Sequence, residues 1–94
     1  MTSLEINKLK AIFAALNNEK RIRIIEMCSD KGLTVTELSK KLGLNYSITV
    51  EYTSMLNKVN LIKKIRNDDR TVSIRSLIKL NNLGEIRRLY PNKV

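Results

Sequence analysis

Apolar residues recur every three or four positions through the first 60 residues and every second position only afterwards, which predicts helices first and strands later. Ile6, Leu9, Ile12, Phe13 and Leu16 form the first helical face, and Thr2 with Glu5 three residues on has the form of a capping box. This helix is expected over 3–16, where Asn17 and Asn18 interrupt it. A second helix carries Ile22, Ile24, Ile25 and Cys28 inward and ends near 29–32. Thr34 to Glu37 repeats the capping box and opens a short helix whose Val35, Leu38 and Leu42 share a face. Gly43 stands where a left-handed cap is cheapest for glycine, and Leu44 is the apolar residue of the turn. Asn45 can cap the helix that follows, Tyr46 to about Val59. Its buried face is read as Ile48, Tyr52, Leu56 and Val59, with Met55 beside it. Two short helices joined by a tight glycine turn make a helix-turn-helix over about 35–59.

Strand patterning takes over next. Segments 61–66 and 70–75 flank Asn67-Asp68-Asp69, a turn-forming tip, so a hairpin is expected over about 61–75. Val72 and Ile74 alternate with Thr71, Ser73 and Arg75, giving one apolar and one wet face. After Arg75 the pattern divides. Ile78 and Leu80 extend the strand alternation, whereas Asn82 with Glu85 offers a helix cap before Leu83, Ile86, Leu89 and Tyr90. The helical reading, about 83–90, is preferred. The fold class is therefore mainly α with a small β-hairpin.

At 94 residues the chain suits one domain, and its 43% hydrophobic and 29% charged residues are those of a globular protein. The net charge of +9 changes the picture, because so positive a surface attracts polyanions. There is no histidine and one cysteine, Cys28, which has no partner for a disulfide. Cys28 falls on the apolar side of its helix and reads as a small buried hydrophobe. No stretch approaches the roughly 20 apolar residues of a membrane span, and Met1 to Lys10 lack the features of a signal peptide. A cytoplasmic location is expected. No glycine-rich phosphate loop and no nucleophile with an evident base is present, so no enzymatic activity and no cofactor are expected.

Leu16 with Arg21 to Ile25, then Leu33 to Leu38, Leu42 to Tyr46, Leu56 and Leu61-Ile62, follow a spacing that resembles the ArsR-like winged helix-turn-helix regulators of bacteria and archaea. The likeness covers about Leu16 to Arg75 and implies a single winged helix-turn-helix domain over 1–94, with 61–75 as its wing. It implies double-stranded DNA as partner and transcription regulation as role. The chain departs from the family at Thr49 and Thr53, where members bury aliphatics, and at Asn60, where they carry glycine. Metal sensing is not carried over, because such a site needs several Cys, His or carboxylate ligands on one ion. No metal is expected.

On these grounds the second helix of the motif presents Asn45, Tyr46, Ser47, Val50, Glu51, Ser54 and Lys58 to the major groove. Asn45 serves equally as a cap. The wing supplies Lys63, Lys64, Arg66, Arg70 and Arg75 for phosphates. So small a core gains from dimerising, and Leu4, Ala11 and Ala15 with Leu83, Ile86, Leu89 and Tyr90 are the expected homodimer surface, through the terminal helices. The rival reading is a winged-helix protein-interaction module within a larger assembly, favoured by the near-neutral recognition helix. RNA is disfavoured by the lack of an exposed aromatic platform.

Overall fold

Four helices precede two antiparallel hairpins in the computed structural model, which describes residues 1–89. The helices are α1 (Ser3–Leu16), α2 (Glu19–Cys28), α3 (Val35–Leu42) and α4 (Tyr46–Lys58). The strands are β1 (Ile62–Arg66) paired with β2 (Val72–Ser76), and β3 (Ile78–Leu80) paired with β4 (Ile86–Arg88). This is the winged helix-turn-helix fold, with one hairpin more than the pattern predicts.

Local chemistry sets most boundaries. Both capping boxes form: Thr2 and Glu5 exchange bonds of 2.8 and 3.2 Å, and Thr34 and Glu37 bonds of 2.9 and 3.1 Å. These bonds hold the Glu5 and Glu37 carboxyls below their ordinary range, the backbone N–H being the larger cause in each. Asn18 caps α2 through a 3.0 Å bond from the Arg21 N–H. Gly43 ends α3 at φ 65, left-handed, and the Leu44 N–H closes back on the Ser39 carbonyl at 3.0 Å.

Helix α2 sits at the centre. Its Ile24, Ile25 and Cys28 are buried with Leu38 and Leu42 of α3, Leu56 of α4, and Leu33, Leu61, Ile62, Ile74 and Ile78. Ile22, expected inside, is exposed. Leu33 forms an isolated antiparallel bridge with Ile74 of β2 through bonds of 3.1 and 2.7 Å. Lys20 and Arg21 at the start of α2 tie other helices down. The Lys20 ammonium donates to the Leu42 carbonyl at the end of α3, while Arg21 donates to Ala14 and Ala15 at the end of α1. Cations placed there also complement the helix dipoles.

Three expectations are corrected. First, the core face of α1 is not Ile6, Leu9 and Phe13. Ile6 is 46% and Phe13 61% exposed, Ile12 and Leu16 are half-buried, and Ala15 is the buried residue. Helix α1 docks by Ile12, Ala15 and Leu16, while Ala11 and Ala14 stay exposed beside Met55, Lys58 and Val59 of the α4 end. Second, the buried face of α4 is displaced toward Thr49 and Thr53, with Leu56 common to the expected and observed faces. Thr49, Thr53 and Leu56 are buried, Ile48, Tyr52 and Val59 only half so, and Met55 is exposed. Each threonine returns its hydroxyl to its own helix, Thr49 to the Asn45 carbonyl at 2.9 Å and Thr53 to that of Val50 at 3.0 Å. The methyls then pack as small aliphatics at no polar cost.

Third, the helix expected over 83–90 is instead the second arm of a hairpin, at least to Leu89; Tyr90 lies outside the described residues. Asn81, not Asn82, organises the turn. Its Oδ1 accepts from the N–H groups of Leu83 and Glu85 at 2.9 and 3.0 Å, and Gly84 takes φ 76. A left-handed residue there would break the first turn of a helix, while β3 needs a partner for its ladder. Strand β4 supplies one.

Candidate nucleic-acid interface

The turn Gly43–Leu44–Asn45 fixes how α4 leaves the core. Asn45 Oδ1 accepts from the Ile48 N–H at 2.8 Å, so its oxygen is committed to the cap and its amide group remains outward. The displacement of the buried face leaves the expected outward face of α4 in place. Tyr46, Ser47, Val50, Glu51 and Lys58 are exposed and Ser54 is half-buried. Tyr46 is 59% exposed. Lys40 and Lys41, in the last turn of α3, are also exposed. The sequence pattern holds the signal for them, two consecutive lysines beside the glycine turn, but they are absent from the expected set.

The cations of the β1–β2 hairpin are exposed except Arg75, which is half-buried. Pleating divides them. In the register Ile62↔Ser76, Lys64↔Ile74 and Arg66↔Val72 share one face, and Lys63↔Arg75 and Ile65↔Ser73 the other. The first face is buried at Ile62, Ile74 and Ser76, where it packs on the helices. Lys64 and Arg66 therefore emerge on the helical side, and Lys63 and Arg75 on the outer side. The wing cations therefore leave the hairpin from both of its faces.

Arg70 projects from the tip, where its backbone is left-handed at φ 70. The tip is held from within. Asn67 Nδ2 donates to Thr71 Oγ1 at 2.9 Å and Ser73 Oγ at 2.8 Å, and Asp69 Oδ1 accepts from the Thr71 hydroxyl and N–H at 2.6 and 3.1 Å. The Thr71 hydroxyl, then its N–H, holds the Asp69 carboxyl below its ordinary range. Asp69 is thus part of the turn, while Asp68 is exposed beside Arg70.

Among residues expected at a dimer surface, Leu4, Ala11, Leu83 and Ile86 are exposed and Leu89 is half-buried. Ala15 is only 5% exposed within the fold and cannot take part. Ile6, Leu9 and Phe13 supply an exposed apolar stripe in its place. Periodicity shows that stripe but does not say which body it meets. Cys28 is fully buried, and that burial pushes its thiol up to about 12, leaving it protonated and inert near neutrality. Among the described residues no three His, Cys, Asp or Glu converge on a metal position. No described helix is long and apolar enough to cross a membrane.

Comparison with known proteins agrees with the architecture. The winged helix-turn-helix family model matches residues 20–90. Among solved structures, HlyU from Vibrio cholerae N16961 is 27% identical, with a TM-score of 0.69 over 80% of this chain and 80% of that one. An ArsR-like transcriptional regulator from Rhodococcus sp. RHA1 is 22% identical, with a TM-score of 0.74 over 82% of this chain and 70% of that one. The homodimeric winged helix-turn-helix DNA-binding domain of Mb0332 from Mycobacterium bovis is 16% identical, with a TM-score of 0.73 over 79% of this chain and 68% of that one. No curated protein matches the sequence.

Proposed function

Since the chain belongs to the winged helix-turn-helix family and has the fold of ArsR-like transcription regulators, we propose that it binds double-stranded DNA sequence-specifically as a homodimer and regulates transcription. The observation that carries this reading is one of sidedness. The outward face of α4 is uncovered, and Lys64 and Arg66 leave the wing on the face that packs against the helices. Helix α4 enters the major groove, where Asn45, Ser47, Glu51 and Ser54 offer polar groups to base edges and Val50 offers an apolar surface to thymine methyls. Tyr46 and Lys58 flank them. Lys64, Arg66 and Arg70 take phosphates, joined by Lys40 and Lys41. Lys63 and Arg75 are set apart from this surface by the pleat.

The dimer forms through α1, with Leu4, Ile6, Leu9 and Phe13 covered by a second copy and Leu83, Ile86 and Leu89 of the β3–β4 hairpin beside them. Exposed apolar area of this kind seeks a partner, and a two-fold arrangement places two α4 helices about 34 Å apart on successive major grooves. Selecting bound sites from random duplexes tests the whole reading. A near-palindrome with half-sites one helical turn apart is the expected product, and a pool that never departs from random contradicts it.

A second reading has one observation in its favour. Tyr46 and Val50 expose apolar surface on α4, where Glu51 and Lys58 are the charged residues on the outward side. Such a face also suits a protein partner. Titrating labelled duplex and single-stranded RNA separates the readings, since a protein-binding module takes up neither.

A further inference from the structure

The ridge of α4 that faces away from the core carries a charge of the wrong sign for DNA. Ser47, Glu51, Ser54 and Lys58 stand at i, i+4, i+7 and i+11, on the side of the helix opposite the buried Thr49, Thr53 and Leu56. Glu51 lies within that ridge, is exposed, and is the only carboxylate of the helix. Nothing near it neutralises the charge. The residues three and four positions away are Ser47, Ile48, Ser54 and Met55, none of them a cation. Lys58 is two turns further on, about 10 Å along the axis. The ion pairs among the described residues are Arg23 with Glu26 and Lys79 with Asp30, so Lys40 and Lys41 of α3 do not hold Glu51 either.

A free carboxylate set against a duplex is repelled by the phosphates. Most base edges offer it no relief, because guanine O6 and N7 and thymine O4 are acceptors like itself. Only the amino groups, N4 of cytosine and N6 of adenine, donate to it in the major groove. We propose that Glu51 sets sequence preference by exclusion. It demands a cytosine or adenine amino group at one position of the half-site and lowers the affinity of every duplex that lacks one there. The net charge of +9 draws the chain to any polyanion, so further attraction would not separate right sites from wrong ones. A repulsive element does. Cytosine fits better than adenine, which sets its N7 acceptor beside the amino group. The inference rests on the duplex reading of α4 and adds to it which feature of a base is required.

The test selects sites from random duplexes with the full parent chain, Glu51→Ala and Glu51→Gln. Affinities for the selected duplex and a scrambled one are then measured at low and high salt. The parent is expected to demand cytosine or adenine at one position, and guanine or thymine there to weaken it by roughly fivefold or more. Glu51→Ala is expected to lose that demand. Glu51→Gln is expected to move it to adenine, which an amide reads with both of its groups. Both variants are expected to bind the scrambled duplex about fivefold more tightly than the parent at low salt, a gain that fades as salt screens the charge. Their melting temperatures should stay with the parent's, since the side chain faces solvent. A scrambled duplex bound no more tightly by either variant would overturn the proposal. So would an equal loss across all sequences, which would make Glu51 the support of a phosphate-binding cation. A parent and Glu51→Ala that select the same site defeat this inference alone, whereas a parent that binds no duplex defeats the DNA reading and this one with it.

Discussion

Arg21 closes the end of α1 by donating from Nε to the Ala15 carbonyl at 2.7 Å. The same guanidinium reaches Ala14 at 3.3 Å, touches Met55 Sδ at 3.7 Å, and lies 5.1 Å from the centre of the Tyr52 ring. It is 9% exposed and meets no carboxylate among these partners. Its charge is balanced by carbonyl dipoles and a ring face. One side chain therefore fastens α1 to α2 and α4, and so sets where the exposed stripe of α1 lies.

Arg21→Ala should strip two carbonyls of their donor and open a gap beside Tyr52. The expected cost is about 3 kcal/mol, or roughly 10–20 °C in melting temperature for a domain of this size. Arg21→Lys should recover less than half, because an ammonium cannot reproduce the planar fork. Thermal unfolding followed by circular dichroism checks this, and an unchanged melting curve for Arg21→Ala would contradict it.

Gly32 is required by close approach. A Cβ there would lie 2.9 Å from Ser73 Cβ. Gly32→Ala should destabilise the chain by about 1–3 kcal/mol through overpacking. Adding Ser73→Gly removes the nearest atom and should return part of the loss. Denaturant titration of the single and double variants measures both, and a neutral single variant would show that the bridge between Leu33 and Ile74 yields more easily than its geometry implies.

The two hairpin tips make the same turn with different residues at its left-handed position. Asn67 and Arg70 close one by a 3.1 Å bond, Asn81 and Gly84 the other by 3.0 Å, with Arg70 at φ 70 and Gly84 at φ 76. Glycine adopts that backbone freely, and for arginine it costs about 1 kcal/mol. Arg70→Gly should therefore raise stability by about that amount while weakening duplex binding several-fold, since one phosphate would be left without its cation. Unfolding and duplex titration on the same sample check the opposite signs. Unchanged duplex affinity would remove Arg70 from the interface, and a fall in stability would contradict the backbone cost.

Phe13→Glu combined with Leu9→Glu should leave the fold intact, because both side chains already face solvent. The double variant should sediment as a monomer at concentrations where the parent is a dimer. A parent that is itself monomeric at those concentrations would refute the α1 interface.

Much of the fold is legible in the residues, because capping is local chemistry. Thr2, Thr34, Gly43 and Asn45 announce helix ends without reference to the rest of the chain. The departures arise where tertiary context decides. Thr49 and Thr53 read as polar until their hydroxyls are returned to their own helix, so the pattern misplaces the buried face of α4. Leu83, Ile86 and Leu89 recur at spacing three, which fits a helix as long as Gly84 is read as an ordinary residue. Ile6, Leu9 and Phe13 are a helical face on any reading, and periodicity does not say what body will meet them. The wing cations form one patch in sequence, whereas strand alternation puts neighbours Lys63 and Lys64 on opposite sides.

That division gives the sharpest test of DNA binding by the helical side of the wing. The measurement is the slope of log affinity against log salt for a selected duplex, with the parent chain and with Lys64→Gln, Arg66→Gln together. Neutralising two phosphate-binding side chains should reduce the slope by about two and weaken binding across sequences alike. An identical slope and affinity in the double variant would place the duplex elsewhere on the molecule.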